Sequence, residues 1–182
     1  MKNPNLSELE FSRPLSVDKI PSGGLEDKLE ANETERRRLT ERFGLLELSK
    51  LLAELSIQYV RAEHMVAVQG VMTAEVVQQC VVTLEPLATL IKEEIDVLFA
   101  LPELIKDGAG APEIETEGQQ ELEPIINGVI DLGELVAQHL GVALDPYPRK
   151  PGLAYVEAKY GDDAEVVNPF AKLADLGKKP TK

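Results

Sequence analysis

The chain contains no tryptophan, one cysteine, two histidines and only four Phe and four Tyr among 182 residues. Each shortage excludes something. One thiol cannot close an internal disulfide, so a reducing cytoplasm is the expected setting. One Cys with His64 and His139 cannot supply the ligands of a structural zinc site, so no metal is expected. With so few aromatics, the core must be built from Leu, Val, Ile and Ala. There is no apolar run of about 18 residues, which predicts no membrane-crossing helix. The opening MKNPNLSELEFSRP has no apolar stretch of signal-peptide type. No phosphate-binding glycine loop, nucleophile elbow or metal-ligating helix motif is present. Neither a catalytic residue nor a cofactor, small-molecule substrate or membrane partner is therefore expected.

Charge is present in excess and unevenly spread. The formal net charge is −13. From Leu84 to Asp145 there are 14 acids against Lys92 and Lys106, which leaves the rest of the chain nearly balanced. A field of this sign repels phosphate backbones and attracts basic proteins.

The patterning then divides the chain. Phe11 to Ile20 alternates as an extended segment, and Pro14 confines it to a sheet edge. Asn32 to Phe43 reads as a helix capped by Asn32, with Glu33 and Glu35 at its positive end, Arg42 at its negative end and Gly44 as its stop. Arg36, Arg37 and Arg38 on this helix are either a solvated face paired to nearby Glu or a contact for phosphate or an acidic partner. Leu51 to Arg61, Met65 to Cys80 and Leu87 to Phe99 each alternate with period two, which predicts an antiparallel meander with one buried face. Gly70 is expected to mark a bulge. Cys80 ends an apolar strand and reads as a buried, inert thiol. Pro102 to Glu123 is acidic and poor in large apolar residues, so it reads as a flexible loop. Ile125 to Ile130 is a short last strand.

The most informative stretch is Asp131 to Gly152, DLGELVAQHLGVALDPYPRKPG. Leu132, Leu135, Val136, His139, Leu140, Ala143 and Leu144 share one helical face. Asp131 can cap this helix, and Glu134 stands where a capping-box partner reaches back. Pro146 stops it. A stiff basic turn of Asp145, Pro146, Tyr147, Pro148, Arg149 and Lys150 follows. These six residues, with Asp131, Glu134 and the three arginines, are the candidates for partner binding. The expected fold is α+β: an antiparallel, strongly coiled and partly barrel-like sheet with two main helices packed on it. Residues 1–152 are expected to form one domain, with residues 153–182 a tail carrying a short docking segment, NPFAKLADL.

CVVTLEP at Cys80 to Pro86 and IDLGELVAQHLGVALDPYPRKPG at Ile130 to Gly152 resemble the signatures of the YceD family. The Glu33 to Leu45 helix and the NPFAKLADL tail are similar to its alphaproteobacterial-type branch. The resemblance implies a non-enzymatic role in accumulation of large-subunit ribosomal RNA. It implies as partner a large-subunit ribosomal protein or assembly factor, and ribosomal RNA as an alternative. Relatives with a C-x-x-C pair place their second cysteine where this chain has Thr83, a departure that argues against metal or redox chemistry here.

Overall fold

Period-two patterning has become long strands. The computed structural model describes residues 9–60, 65–106 and 121–151. In chain order the elements are β1 (Pro14–Ser16), a 3-10 turn (Val17–Lys19), β2 (Leu25–Glu30), α1 (Glu33–Phe43), β3 (Glu47–Val60), β4 (Met65–Gln79) and β5 (Pro86–Ala100). They continue with α2 (Pro102–Lys106), β6 (Glu121–Pro124), β7 (Val129–Asp131) and α3 (Leu132–Ala143). Residues 1–150 form one compact unit. Of residues 151–182 only Pro151 is described, so the NPFAKLADL segment lies outside the described residues, as does His64.

Five strands make one sheet in the order β2-β3-β4-β5-β6. The first four are antiparallel to their neighbours, and β6 runs parallel to β5. The register stacks apolar side chains in rows across the three long strands: Leu51, Ala74 and Ile91, then Ile57, Val68 and Val97, then Tyr59, Val66 and Phe99. Leu39 of α1 and Leu132, Leu135, Val136 and Leu140 of α3 complete this core. Each fully buried Leu, Ile or Val contributes about 1.5–3 kcal/mol of transfer free energy, which is why so few aromatics suffice.

The sheet is α+β as expected, but it is open. β2 and β6 are its edges, and β1 pairs only with β7 in a separate two-stranded piece. With six residues in β2 and four in β6, neither edge strand meets the other, so the barrel-like expectation does not hold. The expected bulge is also displaced. The register shifts between Leu48 and Lys50, whereas Gly70 stays paired with both Leu55 and Ile95. Gly70 serves a different need: a Cβ there would run into the Glu54 carbonyl oxygen. The stretch expected as a loop from residue 102 to 123 begins with a helical turn, α2, and ends in strand β6; residues 107–120 lie outside the described residues. Within the expected last strand, Asn127 (φ 55°) and Gly128 (φ 72°) make a tight turn that folds Ile126 back onto Val129. Two successive left-handed residues are the mark of a type I′ hairpin turn.

Candidate functional site

The two stretches that carry the family resemblance meet in space. The turn that joins β4 to β5 begins at Cys80, whose N–H donates to the Glu85 carbonyl (2.9 Å), while the Leu84 N–H returns to the Cys80 carbonyl (2.9 Å). Pro146 ends α3, and the proline turn then folds across this hairpin. The Val81 N–H donates to the Pro148 carbonyl (2.9 Å), and the Gln78 amide donates to the Asp145 carbonyl (2.9 Å). Lys150 Nζ reaches Glu85 Oε2 at 2.9 Å, an exposed pair of small energetic weight. Asp145 Oδ1 accepts the Tyr147 N–H (2.8 Å), which sets the turn. Pro148 is buried at the joint, and Tyr147, Arg149 and Lys150 stay exposed. Val81, Val82, Leu84 and Tyr147 together give this tip an exposed apolar surface.

Cys80 is buried beside Pro148 in the tip, with 1% of its surface exposed. Its surroundings are polar. Hydrogen bonds from the Thr83 hydroxyl and from the backbone N–H groups of Thr83, Lys150 and Val82 outweigh desolvation and bring the thiol down to about 6. Thr83 is thus the first partner of Cys80. Thr83 and Glu85 are the functional neighbours that sequence reasoning left unassigned, although both lie in the CVVTLEP stretch it singled out.

At the other end of α3, Asp131 and Glu134 are engaged in structure. Asp131 caps the helix by accepting the N–H groups of Gly133 and Glu134 through Oδ1 (3.0 and 3.1 Å). The same carboxylate accepts the Arg13 N–H and the Ser12 hydroxyl. Glu134 is bidentate to Arg42 (2.9 and 3.0 Å) rather than closing a capping box. Arg42 also reaches Glu10, and these neighbours raise its guanidinium above the usual range. A cavity of about 260 Å³ opens beside these acids, lined largely by apolar groups of Phe99, Pro124, Ile126, Val129 and Leu135. The Asp131 and Glu134 carboxylates that border it are already hydrogen-bonded to Ser12, Arg13, Arg42 and the start of α3.

The arginine run on α1 divides in the same way. Arg36 donates to the Ala31 carbonyl (2.6 Å), whereas Arg37 and Arg38 are exposed. Asn32 caps α1 in a full capping box with Glu35, and Gly44 ends it in the left-handed region. The sheet face turned away from the helices is acidic. The register places Glu26, Glu30, Glu47, Glu54, Glu75, Glu94 and Asp96 on it against Lys28, Lys50 and Lys92. No aromatic of the described strands lies on that face. No group of three or more His, Cys, Asp or Glu able to hold a metal occurs among the described residues, and no described helix is long and apolar enough to cross a membrane.

No curated protein and no solved structure matches the chain. Residues 68–177 match the family described as large ribosomal RNA subunit accumulation protein YceD. The matched region leaves out α1 but contains both stretches that build the tip. It spans more than half of the sequence, so the chain belongs to the YceD family, whose role lies in accumulation of large-subunit ribosomal RNA and in ribosome biogenesis.

Proposed function

We propose that the protein serves large-subunit assembly in the cytoplasm as a non-enzymatic factor that binds a basic ribosomal protein or assembly factor and shields its charge until RNA is ready. The observation that carries this reading is the acidic outer face of the sheet, added to a chain whose charge is −13. Such a surface speeds encounter with a cationic protein and discourages contact with RNA. The rigid tip, with Tyr147 and its aliphatic neighbours exposed, supplies the apolar anchor that an interface of charges alone lacks. Residues 1–152 act as the binding domain in this reading, and residues 153–182 as a tail that docks through NPFAKLADL.

A second reading has its own observation. Arg37, Arg38, Arg149 and Tyr147 are exposed and suited to phosphate and base contact. Arg36 and Lys150 are held by Ala31 and Glu85, so only three of the five candidate cations remain for RNA. Three phosphate contacts give a salt slope of only about −2 on a single strand, a weak grip against the field of the whole chain.

Affinity capture of the tagged full chain from lysate, with and without nuclease, separates the two. Ribosomal proteins or assembly factors that stay bound after nuclease support the first reading. Loss of all bound material overturns it in favour of RNA. Reversing Glu113, Glu115 and Glu117 should weaken capture in the first mode and strengthen it in the second, whereas Arg149→Ala with Lys150→Ala should hurt mainly the second.

A further inference from the structure

Among the described residues, strand β5 is paired along its full length on one side only. β4 accompanies it from Pro86 to Ala100, but β6 covers only Val97 to Ala100. The direction of its backbone groups follows from two hydrogen bonds. Glu85 accepts from Cys80, so residues of that parity face β4; Ala100 accepts from Ile125, so residues of the other parity face the opposite edge. Ala88, Leu90, Lys92 and Glu94 therefore aim their N–H and C=O groups outward, with no strand beside them among the described residues. An exposed row of this kind is a template for another strand unless something blocks it. The row here is also unusually apolar in part, since Leu90 is 66% exposed and Leu87 and Ile91 are half-buried.

We propose that this edge of β5 takes up an extended, basic segment of a protein partner as an added strand. The inference rests on the acidic-surface reading above and names how the partner is held. Charge selects the occupant. On its outer face the edge presents Glu94 and Asp96 against Lys92, so the cations of an added alternating strand, all on one face, meet a net acidic row there. Apolar residues on the inner face of the same strand would cover Leu87 and Ile91. The chain's own residues 111–120, which lead into β6, carry three glutamates and no cation, the wrong charge for the slot. A second copy brings another charge of −13. Backbone pairing supplies affinity in this arrangement, and the alternation of Lys or Arg with apolar residues supplies specificity.

The test uses the full chain and a synthetic peptide of alternating Lys and Val, about ten residues long, enough to span the open edge. A peptide of alternating Glu and Val is the control. Binding is read by fluorescence anisotropy, and amide exchange by NMR at Ala88, Leu90, Lys92 and Glu94. The expected result is binding of the basic peptide alone, with exchange at these four amides slowed about tenfold or more. Leu90→Pro removes an N–H that faces away from β4, so the strand is expected to survive while affinity falls about tenfold. If that variant does not fold, Glu93→Lys with Glu94→Lys carries the test, because it must weaken binding by a similar factor. Binding without protection of these amides overturns strand addition and leaves the acidic-surface reading standing. Failure of the peptide to bind, while a basic protein is still captured from lysate, does the same. Failure of both overturns the reading beneath it as well. Protection in the absence of peptide, with a dimer mass by light scattering, assigns the edge to a second copy and overturns the proposal.

Discussion

The two ends of α3 each carry candidate binding residues and put them to opposite uses. At the N-terminal end, Asp131 and Glu134 are half-buried and every carboxylate has a structural partner, from Ser12 and Arg13 to Arg42. At the C-terminal end, Asp145, Tyr147, Arg149 and Lys150 are exposed and held mainly through their backbone. Side-chain chemistry at the first end closes the fold. Backbone chemistry at the second leaves Tyr147 and Arg149 available to a partner, while Lys150 is tied to Glu85. A carboxylate beside a helix is therefore a poor guide to function until its partners are known.

The sharpest break in this comparison is steric. A Cβ on Gly133 would lie 2.7 Å from the Phe11 carbonyl oxygen and 2.9 Å from the Arg13 nitrogen, both backbone atoms. Gly133→Ala should cost about 3 kcal/mol despite the roughly 1 kcal/mol that Ala gains in a helix, read as a fall in urea midpoint. An unchanged midpoint would mean that Phe11 to Arg13 is not seated on α3. Asp131→Ala removes a cap and two further acceptor bonds and should cost about 2 kcal/mol by the same measurement.

Smaller effects separate the two regions by pH. Burial pushes the Glu35 carboxyl up, but hydrogen bonds from Arg13 and the Asn32 N–H and the charges of Arg13 and Arg38 bring it below 4.5. A depressed acid contributes its stability above the unfolded value and loses it as pH falls. Glu35→Gln, which keeps a capping-box side chain, should therefore flatten the decline of Tm below pH 4.5. A decline as steep as that of the unaltered chain would assign the acid sensitivity elsewhere. At the tip the window is higher. Cys80 contributes fully above its usual 9.0, and its share shrinks as pH falls to about 6. Ultraviolet thiolate absorbance should show a midpoint near 6, and Thr83→Val should raise it; a midpoint that ignores Thr83 would refute the hydrogen-bond account. The smallest effect belongs to Gly141, whose added Cβ meets only the end of the Phe43 ring at 2.9 Å. Gly141→Ala should leave stability within about 0.5 kcal/mol, the ring shift offsetting the helix gain.

Much of this was legible beforehand. β4, β5 and β3 from Leu51 onward were plain because a long run of alternation leaves little room for another reading, whereas Glu47 to Lys50 of β3 was missed because the register shift between Leu48 and Lys50 breaks the period. α1 and α3 were plain because Asn32, Gly44, Asp131 and Pro146 mark their ends chemically. β2 was not, because LEDKLE puts charges on both of its faces as only an edge strand can. The Asn127-Gly128 turn carried a strong hairpin signal that was absorbed into one strand. The parallel pairing of β6 had no local signal at all, since parallel partners are chosen by tertiary packing. The tip was legible as two stretches, but not as one object: nothing in Val81 announces the carbonyl of Pro148.

The bonds from Asp131 to Ser12 and Arg13 span 119 and 118 residues of sequence. The meander between them closes through neighbouring strands, whereas this joint must gather nearly the whole described domain. Loop-closure entropy grows with length, so the joint forms after the rising slope of the folding barrier has been climbed. Asp131→Ala is then expected to leave the folding rate nearly unchanged and to speed unfolding, as read from the two limbs of a chevron plot. The carboxylate that looked from the sequence like a helix cap, or like half of a site, is in kinetic terms a latch.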